Sequence, residues 1–528
     1  MGAVDCAPWQ AYNVRHGALR ALIPGRGQNY PKVPANMALA GQNGLLINSE
    51  PALKVYGGSE METELWRCGI VDLAKAIREK QVSSREVIQA HLDRLNTVNG
   101  RLNAVTIVLH EEALRAAEEA DQALARGAAL GPLHGVPMTV KENIDLANSP
   151  TTAGVVALKD ALPPLEAPHV TQLKRAGAIP IGRTNLPDFA LRWHTDNALR
   201  GATKNPWDAS RTPGGSSGGD AVALATGMTP LGLGNDYGGS LRYPSQCCGT
   251  TALRPTFGRV VWASSLARAE RPITIQLFAV QGPMARQVRD LRLALTVMSG
   301  PDARDPWWTP APLVGPPVEQ PVTVAVCPNP GNSSVDSTVA AGVRQAAQLL
   351  AAAGYVVEEV DPPAIAEATD IWAQLVAADI RAVLLPAMQE MACPDALTFL
   401  HHFLALVPES ALLSYIQGLA ERNRIARAWS QFALQYPLIL GPVSTVQPFP
   451  IGYDIAGQAQ VQELLHSLRL VVSVNLLGLP SVAVPVGLAD GIPQGVQIIG
   501  PRYREDLCLD AAEAIERQVD MLTPIHPK

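Results

Sequence analysis

The chain has 528 residues, of which 47 % are hydrophobic and 17 % charged, and its formal net charge is −6. This much apolar material predicts a large folded core and excludes an intrinsically disordered chain. The acidic balance argues against a basic nucleic-acid-binding face and against a polybasic membrane anchor, so we expect neither nucleic acid nor a membrane as a partner.

The seven cysteines are scattered and form no C-x-x-C pair, which is unlike a zinc site. We therefore expect no bound metal and reduced thiols, as in a cytoplasmic protein. Cys247 and Cys248 are interpreted as small buried packing residues, because nothing near them in sequence would lower a thiol pKa. No apolar run approaches the ~20 residues of a membrane span, and the N-terminus lacks the order of a secretory signal.

Residues 1–60 show no sustained hydrophobic period and are interpreted as an N-terminal arm. A helical pattern begins at Met61. Ser83 and Glu86 then form a capping-box pattern ahead of an apolar run with helical spacing. A further helix is predicted over residues 111–126, where a glycine follows as the C-terminal stop.

Strand and helix patterns alternate after this point. Met138–Lys141 is interpreted as a short buried strand, a helix and a strand are predicted within residues 169–185, and strand, helix and strand within 321–363. Residues 365–470 are expected to be mostly helical, followed by short strands and turns at 473–500 and a closing helix. The alternation predicts an α/β architecture.

A stretch dense in serine and glycine, residues 211–245, is the strongest indication of a functional site. It lacks the Gly-Lys-Ser/Thr ending of a phosphate loop. Gly214, Ser216 and Gly218 satisfy the G-x-S-x-G pattern of a nucleophile elbow, but the preceding residues form no hydrophobic strand and no later histidine has a distinctive setting. A glycine-rich turn with serines that cap helices is the structural alternative.

A second cluster, "DYGGS", favours a catalytic interpretation. Successive backbone N–H groups from Tyr237 to Ser240 can converge on one oxygen, which is how an oxyanion hole is built. A serine hydroxyl needs a base, and a buried lysine with a lowered pKa can serve. Lys141 ends the apolar strand; its alternative role is a strand-end lysine in an ion pair with Glu142 or Asp145.

At these residues the sequence resembles the amidase signature family. The resemblance rests on "GVPMTVKENID", "PGGSSGG", "GNDYGGSLRYPS" and "GTTALRPTFGRV", in that order and at matching spacing, and it extends from about Glu64 to Val519. It implies a single domain over residues 61–528, with a catalytic signature core at about 130–260 and a helical substrate-pocket region at about 365–470. The implied α/β fold has a large mixed, mostly parallel, twisted central β-sheet covered by helices on both faces.

The resemblance also implies roles for individual residues. Ser240 would be the nucleophile, Ser216 the bridging serine after a cis peptide bond from Gly215, and Lys141 the general base. The remaining implied groups are the oxyanion-hole donors Tyr237, Gly238, Gly239 and Ser240; the supporting residues Ser217, Asp236 and Arg242, of which the last two would pair; and the acyl-side residues Ala190, Leu191 and Trp193.

Two departures from the family pattern, Asn235 and Arg254, are expected to lie away from the triad. The implied activity is cleavage of the C–N bond of hydrophobic or aryl amides, with carbamates as a further class, and without a cofactor. The alternatives are an inactive binding relative and a tRNA amidotransferase-type subunit; a homodimer is compatible with the resemblance. The helical region at 365–440 is expected to form the lip of the pocket with the apolar residues Trp372, Leu375, Phe399, Phe403, Leu404, Tyr415 and Ile416. The structural alternative is that these residues belong to the core.

Overall fold

The computed structural model describes residues 64–266 and 270–527, so the arm expected over residues 1–60 lies outside the described part. The α-helices within the described ranges are α1 (Ile70–Arg78), α2 (Ser84–Leu102), α3 (His110–Ala125), α4 (Pro168–Arg175), α5 (Gly218–Ala225), α6 (Arg242–Cys248), α7 (Ile273–Phe278), α8 (Val288–Met298), α9 (Ser337–Ala352), α10 (Ile365–Asp379), α11 (Leu385–Met391), α12 (Pro394–Leu406), α13 (Leu412–Phe432), α14 (Gln458–Ser467), α15 (Arg469–Leu477) and α16 (Glu505–Glu516). A π-helical turn, Ile380–Leu384, joins α10 to α11.

The strands of the same described residues form a single sheet of eleven members. They are β1 (Val105–Val108), β2 (Pro137–Lys141), β3 (Ile179–Thr184), β4 (Leu231–Asp236), β5 (Thr251–Arg254), β6 (Val280–Ala285), β7 (Thr323–Val326), β8 (Val356–Glu359), β9 (Leu438–Pro442), β10 (Ser481–Ala489) and β11 (Ile492–Ile499). Their spatial order is β1-β3-β2-β4-β6-β5-β10-β11-β9-β7-β8.

The sheet is large and mixed, as the resemblance implies, but it is not mostly parallel. Neighbouring strands pair in parallel at β2–β3, β2–β4, β7–β8 and β7–β9. The other neighbours pair antiparallel. The longest antiparallel ladder, β10–β11, closes through a tight turn between Ala489 and Ile492, and a connection this short permits only an antiparallel pair.

Helices cover both faces of the sheet, as expected. In β7, Ala325 belongs to one hydrophobic cluster while its neighbours Val324 and Val326 belong to another. Since successive side chains of a strand point to opposite faces, the two clusters lie on opposite sides of the sheet. One cluster contains apolar residues of α10, α12 and α15, and the other contains those of α1, α8, α9 and α16.

Local sequence signals locate several elements accurately. Ser83 caps α2: its Oγ accepts from the Glu86 N–H (3.1 Å), and the Glu86 carboxylate accepts from the Ser83 N–H (2.7 Å). Cys247 and Cys248 are fully buried in α6, and burial raises the pKa of each thiol well above its ordinary value. Both cysteines are therefore packing residues, as predicted.

Residues 365–470 are mostly helical, as expected, and the structure corrects the expectation for residues 473–477. The region at 365–470 contains the buried strand β9, whose short apolar run resembles helical core in sequence. Residues 473–477, expected in strands and turns, complete helix α15. Within the described residues, Ile365–Met391 is long and apolar enough by composition to cross a membrane, but Trp372 and Leu375 of this stretch pack into the core, which also demands apolar residues.

Candidate active site

The site lies where two parallel strands end. Lys141 is the last residue of β2, and Asn235 and Asp236 are the last residues of the neighbouring strand β4. Because β2 and β4 are parallel, their carboxyl ends meet at one edge of the sheet. Ser216 and Ser217 immediately precede α5 and reach the same edge. The fold thus brings together the three segments that the sequence singled out.

Lys141 is completely buried and contacts the predicted bridging serine, Ser216, and the predicted supporting serine, Ser217. Its Nζ lies 2.7 Å from Ser216 Oγ and 2.9 Å from Ser217 Oγ. The structural alternative for this lysine does not hold, because Glu142 pairs with Arg200 at 3.0 Å. The other candidate partner, Asp145, accepts hydrogen bonds from residues 264 and 265. The amine therefore faces hydroxyl groups, and none of the described residues gives it a direct carboxylate partner.

Burial lowers the pKa of Lys141 below its ordinary value of 10.5, while the negative charges of Asp220 and Asp236 oppose that shift. Asp220, in the first turn of α5, shows the converse effect, since burial raises the pKa of its carboxyl while Lys141 opposes the shift. Burial disfavours charge on each of these two groups. The site consequently favours an amine that can accept a proton near neutral pH.

Asn235 is a functional neighbour that the sequence analysis placed away from the triad. The Lys141 amine donates to Asn235 Oδ1 at 2.9 Å, and Asn235 Nδ2 donates to Asn143 Oδ1 at 3.0 Å. The expectation for Asn235 was therefore wrong, because strand pairing between β2 and β4 sets this contact and a single sequence does not display it. For Arg254 the expectation fits the contacts, since its guanidinium donates to the Asp236 carbonyl (2.9 Å).

The loop that carries Ser240 is held by a buried ion pair. Arg242 contacts Asp236 through Nε (3.0 Å) and Nη2 (3.1 Å), so the expected pairing is present. Burial alone would raise the pKa of the Asp236 carboxyl. The neighbouring guanidinium groups of Arg242 and Arg254 outweigh this effect and hold the pKa well below its ordinary value. Asn475 donates to the same carboxylate at 2.8 Å. This network ties the loop to α6 and α15.

The backbone of the loop is arranged differently from one sequence expectation. The Gly239 N–H donates to Asp236 Oδ1 at 2.9 Å, so it is engaged with a carboxylate and does not serve as a free oxyanion donor. Gly239 has φ of +99°, a conformation that favours glycine. On the facing segment the Gly215–Ser216 peptide bond is cis, as the resemblance implies. The Ser217 N–H donates to the Ser240 carbonyl at 3.3 Å and links the two segments.

Ser240 lines a cavity with the three predicted acyl-side residues, Ala190, Leu191 and Trp193. Its other lining residues are Arg192, Tyr237, Gly238, Trp372, Val376, Ile380, Phe399, Leu400 and Phe403. Four residues expected at the pocket lip, Leu375, Leu404, Tyr415 and Ile416, are not among them. The sequence analysis missed Val376, Ile380 and Leu400, although the four-residue spacing of 372, 376 and 380 indicates one helical face.

Comparisons with known proteins identify the family of this chain. The Amidase family model matches residues 86–509. An indoleacetamide hydrolase of Bradyrhizobium diazoefficiens is 46 % identical over 460 residues, which cover 87 % of this chain and 88 % of that protein. A glutamyl-tRNA(Gln) amidotransferase subunit from Alkaliphilus metalliredigens is 30 % identical, with 85 % and 96 % covered.

The fold comparison leads to the same group of proteins. The structure of 6-aminohexanoate cyclic dimer hydrolase complexed with substrate matches with a TM-score of 0.76 and 27 % identity, covering 88 % of this chain and 99 % of that chain. The family model spans most of the sequence, and the similarity to the indoleacetamide hydrolase covers nearly nine-tenths of both chains. The chain belongs to the amidase signature family and is an amide-cleaving hydrolase.

Proposed function

We propose that this amidase works through an acyl-enzyme on Ser240, with Lys141 as the base and Ser216 as the bridge. The observation that carries the proposal is the contact of 2.7 Å between a completely buried Lys141 Nζ and Ser216 Oγ. The Ser240 carbonyl accepts a hydrogen bond from the Ser217 N–H, next to Ser216, and Ser240 lines the adjacent cavity. A buried amine is the kind of group that can remove a proton from a hydroxyl near neutral pH.

The neutral amine that this mechanism requires can satisfy all three contacts of Lys141 Nζ. An uncharged lysine has two N–H donors and one lone pair. Asn235 Oδ1 only accepts, so it takes one N–H, and Ser217 Oγ takes the other. In this neutral form the lone pair can accept the Ser216 hydroxyl proton across the contact of 2.7 Å. All three contacts are satisfied with Lys141 ready to accept the Ser216 proton.

The bond changes follow from this arrangement. As Ser240 Oγ attacks the carbonyl carbon, its proton passes to Ser216 Oγ, and the Ser216 proton passes to Lys141 Nζ. The carbonyl oxygen becomes the oxyanion, for which the Tyr237, Gly238 and Ser240 N–H groups are the proposed donors. Collapse breaks the C–N bond, and the nitrogen leaves with the proton that returns through the relay. Water, deprotonated by the same relay, then attacks the ester carbon. Collapse breaks the bond from the acyl carbon to Ser240 Oγ, which takes the proton back from the relay, and the carboxylic acid leaves.

The cavity supports an aryl-containing acyl group as the substrate. The indole and phenyl rings of Trp193, Trp372, Phe399 and Phe403 line it together with aliphatic side chains. Apolar walls with few polar groups favour apolar ligands. The 46 % identity with an indoleacetamide hydrolase supports the same substrate class. We therefore propose arylalkyl amides of the indoleacetamide type, with carbamates as a secondary class.

The proposal is tested by one substitution and one substrate panel. Ser240→Ala is expected to lower kcat by about 10⁴-fold or more, because the nucleophile is lost. Ser245→Ala is the matched control: this serine is buried in the same region and is not a cavity-lining residue. The panel consists of indoleacetamide, an aryl-acyl p-nitroanilide, the matching carbamate and ester, and glutamine. Near-normal turnover by Ser240→Ala would refute the assignment.

The tRNA amidotransferase-type subunit is the second candidate, because the likeness to the Alkaliphilus metalliredigens protein covers 96 % of that protein. Its activity would require release of ammonia from a polar donor such as glutamine, which the aromatic lining does not favour. Hydrolysis of indoleacetamide by the isolated chain, without hydrolysis of glutamine, would exclude this alternative. Labelling of Ser240 by a fluorophosphonate would exclude an inactive binding relative.

A further inference from the structure

Aromatic rings form a continuous series around the cavity that holds Ser240. Trp193 meets Phe399 edge-on, with 5.8 Å between ring centroids, and Phe399 stacks with Phe403 at 6.4 Å. Phe403 contacts Trp372 at 6.2 Å, and Trp372 contacts Tyr237 at 6.1 Å. We call these five residues the aromatic arch. The arch begins at Trp193 and ends on the loop that carries the nucleophile.

Both tryptophans of the arch donate hydrogen bonds to that loop. Trp193 Nε1 donates to the Gly238 carbonyl at 2.9 Å, and Trp372 Nε1 donates to the Tyr237 carbonyl at 3.3 Å. These are consecutive carbonyl groups, two and three residues before Ser240. The Trp372 ring also lies against the loop backbone, since a Cβ placed on Gly238 would come within 2.9 Å of its Cζ2. The two indoles therefore contact the cavity and the loop at once.

Fixing a carbonyl group also fixes the next N–H. The peptide unit is planar, and in its trans form the C=O and N–H point in opposite directions. The bond from Trp372 to the Tyr237 carbonyl consequently orients the Gly238 N–H. The hydrogen bond from Trp193 to the Gly238 carbonyl orients the Gly239 N–H, which donates to Asp236 Oδ1. One indole thus aims a proposed oxyanion donor, and the other aligns the peptide that follows it.

We propose that Trp193 and Trp372 are positioning residues that hold the oxyanion-binding loop in its working geometry through their indole N–H groups. This inference rests on the proposed function, because it takes Ser240 as the nucleophile and the N–H groups of Tyr237, Gly238 and Ser240 as oxyanion donors. Donation to a carbonyl also polarises the amide, which strengthens the N–H on its far side. The rings serve the substrate cavity, and the N–H groups serve the reaction.

The test separates loss of the N–H from loss of ring contact. Trp193→Phe and Trp372→Phe are compared with wild type by binding of two inhibitors that share one arylacyl group. The aldehyde forms a tetrahedral hemiacetal with Ser240, whose oxygen requires the oxyanion donors, whereas the carboxylic acid forms no bond to Ser240 and no tetrahedral adduct. We expect the Ki of the aldehyde to rise about 10-fold or more beyond any rise for the acid, and kcat to fall by a similar factor.

Trp429→Phe is the matched control, since the buried Trp429 donates from Nε1 to the Pro363 carbonyl (2.7 Å) and is not a lining residue of the cavity. It should leave the ratio of the two Ki values unchanged. A parallel rise of both values in the tryptophan variants, or no change in either, would overturn the inference. If a phenylalanine variant fails to fold, benzothienylalanine at that position keeps the bicyclic shape and removes the N–H.

The same inhibitors distinguish this inference from the function on which it rests. Ser240→Ala removes the hydroxyl that adds to the aldehyde, so its aldehyde affinity should fall to that of the acid. If Ser240→Ala keeps both turnover and tight aldehyde binding, the proposed function fails. If Ser240→Ala behaves as expected while the tryptophan variants keep the wild-type ratio, only the positioning role fails.

Discussion

Replacing Asn235 by aspartate tests the electrostatics of the base directly. Asn235 Oδ1 lies 2.9 Å from Lys141 Nζ, and the substitution keeps the size of the side chain while adding a negative charge. A carboxylate at this distance stabilises the ammonium form, so the pKa of Lys141 rises. Because the base must be neutral, the rise of activity with pH should move toward higher pH.

The contact distance sets the size of this shift. Two unit charges 2.9 Å apart attract by about 6 kcal/mol at an effective dielectric constant of about 20. Burial of the new carboxylate offsets part of this attraction, and shifts of about 1–3 pKa units are typical for such pairs. The neutral fraction of Lys141 falls tenfold per unit below the pKa. Asn235→Asp should therefore lower kcat/KM near neutral pH by about 10- to 1,000-fold, and alkaline pH should restore much of it.

The assay is kcat/KM for indoleacetamide against pH, together with a thermal melt for each variant. Asn143→Asp is the matched control, because Asn143 contacts Asn235 and lies one amide further from the amine; its shift should be smaller. Asp220 and Asp236 already face Lys141 and are unchanged in both variants. A folded Asn235→Asp enzyme with the wild-type pH midpoint would refute the assignment of Lys141 as the titrating base.

Two further substitutions test the cavity and the loop. Phe399→Leu should raise KM for indoleacetamide about 2- to 10-fold, through lost ring contacts, and leave KM for acetamide unchanged. Phe432→Leu is its control, because it removes a ring stacked on Tyr436 outside the cavity. Equal effects of Phe399→Leu on both substrates would contradict the assigned cavity. Arg242→Met should lower the free energy of unfolding, measured by urea titration, by about 3 kcal/mol or more. The reason is that the buried Asp236 carboxylate is left with a more distant cationic partner, Arg254, at 3.8 Å. A loss below about 1 kcal/mol would contradict the role of the Arg242–Asp236 ion pair.

Several elements and site residues could be predicted because their signals are local. The capping box of Ser83 and Glu86 depends on a spacing of three residues, which a helix turns into a contact. Lys141 ends a strand of apolar residues, and this position indicates a buried lysine because such strands lie in the core. Ser216 and Ser240 are marked by the glycines around them. In each case the residues that make the prediction possible are close together in the chain.

Other features depend on contacts between segments that are distant in the chain. The contact of Asn235 with Lys141 depends on the pairing of β2 with β4, whose residues are 94 positions apart in the chain. The indole bonds of Trp193 and Trp372 to adjacent carbonyls join segments that are distant in sequence. Likewise, strand direction across the sheet follows from long-range packing. Residue type and local spacing identified the candidate catalytic groups, because both can be read from neighbouring residues in the chain. Which of these groups touch follows from the fold, because such contacts form only when distant segments pack together.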